Sequence, residues 1–391
     1  MPTKKINIEL PLFCGFWIVF SAIMSHAITR REPGIDFPAH NRLAIDIAEN
    51  GFNLSSMYRN AVALIMQLSR IDVEKAANIL VFVMLIFMLF TIHICVTRLL
   101  EEIDEKFTLG VVALTAFAGS IPTPIFPRLF YYRAYGIRTW HNPTNFTVIP
   151  FVFLSFFFLW KIFTLIEKRE LGEKFSKIEL RNSGVLLSVV MILSVYGKPN
   201  WLAAFAPGVL IFLCGWWIKS KLNITRLKDC LMIGVSFIPA ILYWLFLKSH
   251  NVHMDVSFRL GVDELVRPLP VLVNLMFPVY VIIVIRKSVK SKYMLLIAWF
   301  TYFVALCQRI FVIEVGEGRR GHGNTGWGLL FALNVLLMIS AIEFVKYIFD
   351  TNECSKWKNH FSYIGIGMAS LYFFGGLFYA LHIYFIGGFA I

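Results

Sequence analysis

Eleven apolar runs, most of them near the length of a membrane crossing, divide this chain: 8–28, 77–98, 107–126, 147–166, 183–197, 201–218, 230–248, 269–285, 294–313, 329–347 and 361–385. A crossing helix needs about 20 mostly apolar residues, and only helices and closed barrels satisfy their own backbone polar groups in lipid. The runs therefore predict an all-α fold, a polytopic membrane protein with about 11 transmembrane helices. Composition agrees, with 58% hydrophobic residues and 38 Phe. The longest gap between runs is 29–76, so residues 1–391 read as a single integral membrane domain and 29–76 as the first extracytoplasmic loop.

Charge orients this layout. The Lys4/Lys5 start and the segments 167–182, 219–228 and 286–292 all fall on one side when the runs are counted off, and sixteen of the nineteen lysines lie on that face or at its helix ends. The positive-inside rule makes it cytoplasmic. The amino terminus is then cytoplasmic and the carboxyl terminus outside, and the net charge of +13 is explained mainly by topology rather than by nucleic acid. The first run, Ile8 to Ile28, is longer than a signal-peptide core and reads as an uncleaved span. All six cysteines map to spans or to the lysine side, without CxxC or Cys/His metal spacing, so no disulfide framework is expected.

Arginine does the reverse. Thirteen of eighteen arginines and five of nine histidines fall in the opposite, outward loops. The guanidinium fork matches phosphate and carboxylate geometry better than the point charge of lysine does.

In the first outward loop, Asp36 and Pro38 have the chemistry of a helix start, with His40 and Arg42 within about a turn. Phe37, Leu43, Ala44 and Ile47 then lie toward one face, as in a helix resting in the interface plane, and a second amphipathic stretch runs from Ala61 to Leu68. Asp36 either only caps that helix or serves as a catalytic or metal-coordinating carboxylate at the membrane surface.

The second loop, 127–146, carries Arg133, Arg138, Trp140 and His141 before Asn142-Pro143. Cap-then-proline chemistry opens a helix whose backbone N–H groups favour an anion. An interfacial aromatic belt explains Phe130, Tyr131 and Tyr132 but leaves Arg133, Arg138 and His141 without a reason. In the third turn Lys198, one of three outward lysines, either contacts phosphate or snorkels. The loop from Lys248 to Arg267 is polar but unpatterned. The fourth motif, Glu314 to Gly328, places Glu317, Arg319, Arg320, His322 and Asn324 among six glycines. Glycine at such density suits a backbone that turns sharply or approaches a ligand closely.

Together, Asp36 after the first span, a long first outward loop and the strings Asp36-Phe-Pro-Ala-His40, Trp140-His-Asn-Pro-Thr144 and Gly321-His-Gly-Asn-Thr-Gly-Trp-Gly328 resemble the GT-C superfamily of membrane glycosyltransferases and bacterial surface-polysaccharide proteins, including O-antigen polymerases. Many members of that superfamily have adjacent acids in the first loop, whereas here Glu32 stands four residues before Asp36. The resemblance implies a polyprenyl-phosphate-linked saccharide as donor, a saccharide acceptor, and an enzyme of the bacterial inner membrane acting at its outer face. It assigns the base or metal-binding role to Asp36, with His40 orienting it or sharing a divalent metal (Mg or Mn). Arg133, Arg138, Arg319 and Arg320 would then bind phosphate and Trp140, His141, Asn142, His322 and Asn324 shape the sugar site, with Lys198 and Glu317 as further substrate-binding candidates. The alternative is a transporter or flippase, which usually carries mid-span charges and inverted repeats. These spans are nearly free of such charge and show no repeat.

Overall fold

The computed structural model of the protein describes residues 9–30, 37–54, 56–101, 103–119, 142–250, 256–258, 268–285, 293–314, 326–349 and 356–385. Fourteen helices occupy them: α1 Glu9–Arg30, α2 Phe37–Asn50, α3 Met57–Ser69, α4 Val73–Leu99, α5 Glu105–Phe117, α6 Pro143–Glu170, α7 Lys177–Gly197, α8 Asn200–Lys219, α9 Ile224–Val235, α10 Ile238–His250, α11 Pro268–Ile285, α12 Tyr293–Phe311, α13 Trp327–Phe349 and α14 Lys356–Phe385. Two three-residue strands, β1 Val256–Phe258 and β2 Val312–Glu314, pair antiparallel with Val256 opposite Glu314 and Phe258 opposite Val312.

Nine helices among the described residues, counting α9 and α10 as one, are long and apolar enough to cross a membrane. The described part of the run 107–126 falls on the shorter helix α5, and the run 269–285 on the shorter helix α11. The protein is thus an all-α polytopic membrane protein with one small β-ladder at a loop.

Local chemistry sets the helix ends. Asp72, Asp104, Asn142, Ser176 and Asn223 each accept a backbone N–H of the first turn of α4, α5, α6, α7 and α9, satisfying donors that have no partner within the helix. The break between α9 and α10 precedes Pro239, which lacks the N–H needed to continue the ladder. At that break Ser188 of α7 donates to the Ser236 carbonyl at 2.8 Å.

The core is built around α13. Its membrane-length window is wholly buried, and α5, α6, α8, α11, α12 and α14 pack on it. Close approach also joins α8 to α12, where a Cβ on Gly208 would stand 2.7 Å from the Thr301 Cα. Buried polar groups bridge other helices: Trp17 Nε1 donates to the Leu85 carbonyl at 3.0 Å, and Trp201 Nε1 to Ser155 Oγ at 2.8 Å. On the lysine-rich side, Arg169 pairs with the buried Asp229 at 2.7 Å, and Arg226 pairs with Glu170 and lies 3.8 Å over the Trp216 ring.

Candidate functional site at the arginine-rich face

The described part of the 29–76 segment folds as two amphipathic helices, α2 and α3, of 14 and 13 residues, too short to cross a bilayer. Helix α2 begins at Phe37 with Pro38 in its first turn, and its buried stripe is Phe37, Asn41, Ala44 and Ile47. That spacing of three and four residues keeps one face inward. Phe37 anchors the start, with its ring 5.9 Å from Tyr58 and 6.1 Å from Phe146 on α6. The residue after Asp36 is therefore packed beside the first turn of the helix that follows Trp140-His141-Asn142.

Polar contacts fix the far end of this loop. Asn60 donates to Tyr196 Oη at 2.6 Å and to the Asn53 carbonyl, and its own oxygen accepts the Asn53 N–H at 3.2 Å. Tyr243 donates to the Leu54 carbonyl at 2.8 Å. The connection between α2 and α3 is thus tied to the last turn of α7 and to the middle of α10.

Within the α2–α3 pair lies a short polar relay. Tyr58 is buried and donates to Asn41 Oδ1 at 2.9 Å, and burial pushes its phenol well above the usual range. Arg59 Nε donates to His40 Nδ1 at 3.2 Å, and burial lowers the arginine from its ordinary value. A ring whose Nδ1 accepts carries its proton on Nε2. His40 in this state is suited to donate toward a carboxylate, whereas metal ligation through Nε2 would first require that proton to leave. Its ring also packs edge-on to Tyr58 at 6.0 Å.

A second polar cluster forms at Lys198. Its Nζ donates to Thr144 Oγ1 at 3.1 Å and to Asn145 Oδ1 at 3.4 Å, and stands 3.9 Å from the centroid of the Trp327 ring. One ammonium thereby joins the first turns of α6 and α13 to the α7–α8 turn. Asn142 caps α6, its Oδ1 accepting the Thr144 N–H at 2.9 Å and the Thr144 hydroxyl. That oxygen serves as the cap of α6. Asn145 is fully buried, and its Nδ2 has no hydrogen-bond partner, an unusual state for a buried donor. Glycine permits the tight fit nearby: a Cβ on Gly328 would stand 2.9 Å from the Asn200 carbonyl oxygen.

The glycine-rich motif is held at both ends. Strand β2 enters it from α12, paired with β1 of the otherwise unpatterned 248–267 loop. At its exit, a Cβ on Gly326 would lie 3.0 Å from Arg309 Cδ, so Arg309 lies against that end.

Of the residues expected to form the site, His40, Asn142 and Lys198 are described, with Asn142 and Lys198 in one cluster and His40 on α2, whose first residue, Phe37, packs beside α6. Asp36, Arg133, Arg138, Trp140, His141, Glu317, Arg319, Arg320, His322 and Asn324 lie outside the described residues. Among the described residues no group of three or more His, Cys, Asp or Glu is placed to hold a metal ion. Thr144, Asn145, Arg59 and Trp327 are site candidates that sequence reasoning passed over. The signal for Thr144 and Asn145 was the first turn of a proline-started helix, and Arg59 belonged to the outward arginine excess. No protein-family model, curated protein or solved structure matches the chain.

Proposed function

We propose that the protein is a membrane glycosyltransferase that uses a polyprenyl-phosphate- or diphosphate-linked saccharide at its arginine-rich, extracytoplasmic face, in assembly of a bacterial surface polysaccharide. The fold in this reading is GT-C-like, with eleven crossings and a cytoplasmic amino terminus. The observation that carries it is the Lys198 node, where a cation, the start of α6 and a buried amide N–H of Asn145 gather beside an aromatic ring. A phosphate is the ligand such a set favours, because an ammonium and an unpaired amide N–H both act on negative charge. The ring adds an apolar face of the kind that stacks on a sugar.

In the proposed reaction an acceptor hydroxyl attacks the anomeric carbon as the bond from that carbon to the phosphate oxygen breaks. The phosphate leaves with the bonding electrons, and the hydroxyl proton passes to Asp36. His40, with its proton on Nε2, orients the carboxylate. Lys198, Arg133, Arg138, Arg319 and Arg320 stabilise the departing charge, Trp140, His141, Glu317, His322 and Asn324 shape the sugar site, and a divalent metal is a further candidate for the phosphate.

The test is a transfer assay with the purified full-length protein, a lipid-linked saccharide and a saccharide acceptor. A new glycosidic bond, lost in Asp36→Asn protein that still folds, is the expected result. Flux of the lipid-linked saccharide across sealed vesicles without a new bond would establish the transporter class instead.

A further inference from the structure

At the opposite end of the helix bundle, α5 and α14 touch and then part. Contact is at glycine: a Cβ on Gly376 would overlap the Phe117 carbonyl oxygen, and the Gly119 N–H donates to the Tyr372 carbonyl at 3.2 Å. From there toward Lys106 the two helices leave a half-open cavity of about 400 Å³, backed by α13. Small residues create the space, with Gly110 and Ala113 on α5, Ala341 on α13 and Ala369 on α14. A Cβ on Gly110 would meet nothing within 4 Å. Phenylalanines wall the cavity, and the edge-on contact of Phe107 with Phe349 at 4.7 Å joins α5 to α13 at the Lys106 end.

Such a cavity in a helix bundle that crosses a membrane faces hydrocarbon. Left empty it would forfeit the dispersion contacts of its lining, and a chain of methylenes from the bilayer is the filling nearest to hand. Lys106 is the single charged residue lining it, with a side chain 69% exposed and an ion pair to Glu9 at 3.1 Å. An exposed pair of this kind is weak enough to share its ammonium with a second anion. We propose that this cavity holds one acyl chain of a bilayer glycerophospholipid, with the lipid phosphate at Lys106. The site is separate from the transfer chemistry, because Trp327 and Val345 are about 27 Å apart along α13.

The experiment reconstitutes the full-length protein in vesicles of phosphatidylethanolamine and phosphatidylglycerol containing a trace of phospholipid with a photoactivatable diazirine on its acyl chain. After irradiation, adducts are mapped by mass spectrometry. They are expected to concentrate on residues 110–114, 341–348 and 366–374, above the level at the exposed Val185 and Val189 of α7. Each methylene kept out of the cavity weakens binding about fourfold, so Gly110→Leu should lower these adducts at least about tenfold while those on α7 stay constant. Lys106→Gln, at an exposed position, should reduce them without disturbing the fold. Cavity adducts no denser than those on α7, or unchanged in both variants, would overturn the proposal.

Discussion

Lys198 Nζ stands 3.9 Å from the centre of the Trp327 ring, so the turn between α7 and α8 and the first turn of α13 are held as one unit. A cation over an indole contributes about 0.5–2 kcal/mol, more as water is excluded. In a double-mutant cycle of Lys198→Met and Trp327→Leu, read by thermal unfolding in detergent, a coupling in that range is expected. Additive losses would show that the contact contributes nothing to the fold. If the node also binds phosphate, Lys198→Gln should raise KM for the lipid-linked donor more than Lys198→Arg does, since only the latter keeps the charge.

Two glycines on α8 provide an internal comparison. Gly208 faces the Thr301 backbone at a distance no Cβ tolerates, whereas a Cβ on Gly215 meets nothing within 4 Å. Gly208→Ala must push α8 away from α12 and should destabilise the protein by about 1–3 kcal/mol. Gly215→Ala should instead be neutral or stabilising by about 0.5–1 kcal/mol, because alanine is the better helix former. Equal melting temperatures for the two variants would contradict the packing described for this interface.

Asn60 is buried and makes three hydrogen bonds that fasten the Gly51–Ser56 connection to Tyr196. In Asn60→Ala those partners lose their mate at a cost of about 1–3 kcal/mol. Much of that cost should appear locally, as opening of the α2–α3 connection. Limited proteolysis of sealed vesicles should cut the variant within residues 51–56 faster than the wild type. Cleavage at an unchanged rate would mean that Tyr243, which holds Leu54, suffices alone.

What the sequence makes legible here are long-period features. Apolar runs mark the spans because lipid leaves a helix little alternative, and Asn142-Pro143 marks the start of α6 because cap chemistry is local. Boundaries shift where charge hides helix: α7 begins at Lys177, six residues before its apolar run, since its first turn is polar and capped by Ser176. The ladder between Val256–Phe258 and Val312–Glu314 has no signature, because three residues are too few to show alternation and the pairing depends on where α10, α11 and α12 end. At the candidate site, single residues are legible and their partners are not. A lysine beside a helix start can be read from Lys198, but its meeting with Asn145 and Trp327, like that of Asn60 with Tyr196, is set by how the helices pack.

Tyr58 should give the α2–α3 pair a characteristic response to alkali. Burial raises its phenol above the ordinary value, while its hydroxyl donates to Asn41. Above about pH 10 the unfolded chain releases this proton and the folded chain keeps it, so the unfolded state binds fewer protons and stability must fall as pH rises, by up to about 1.4 kcal/mol per pH unit from this group. Below that pH the stability is fully present. Tyr58→Phe loses the hydrogen bond and leaves Asn41 Oδ1 without its donor, a cost of about 1–3 kcal/mol at neutral pH, but it also removes the alkaline penalty. The stability gap between variant and wild type should therefore narrow as pH rises from about 9 to 11. A gap that stays constant across that interval would mean that Tyr58 ionises as readily in the folded protein as in the unfolded chain, and that α2 and α3 do not seal it from water.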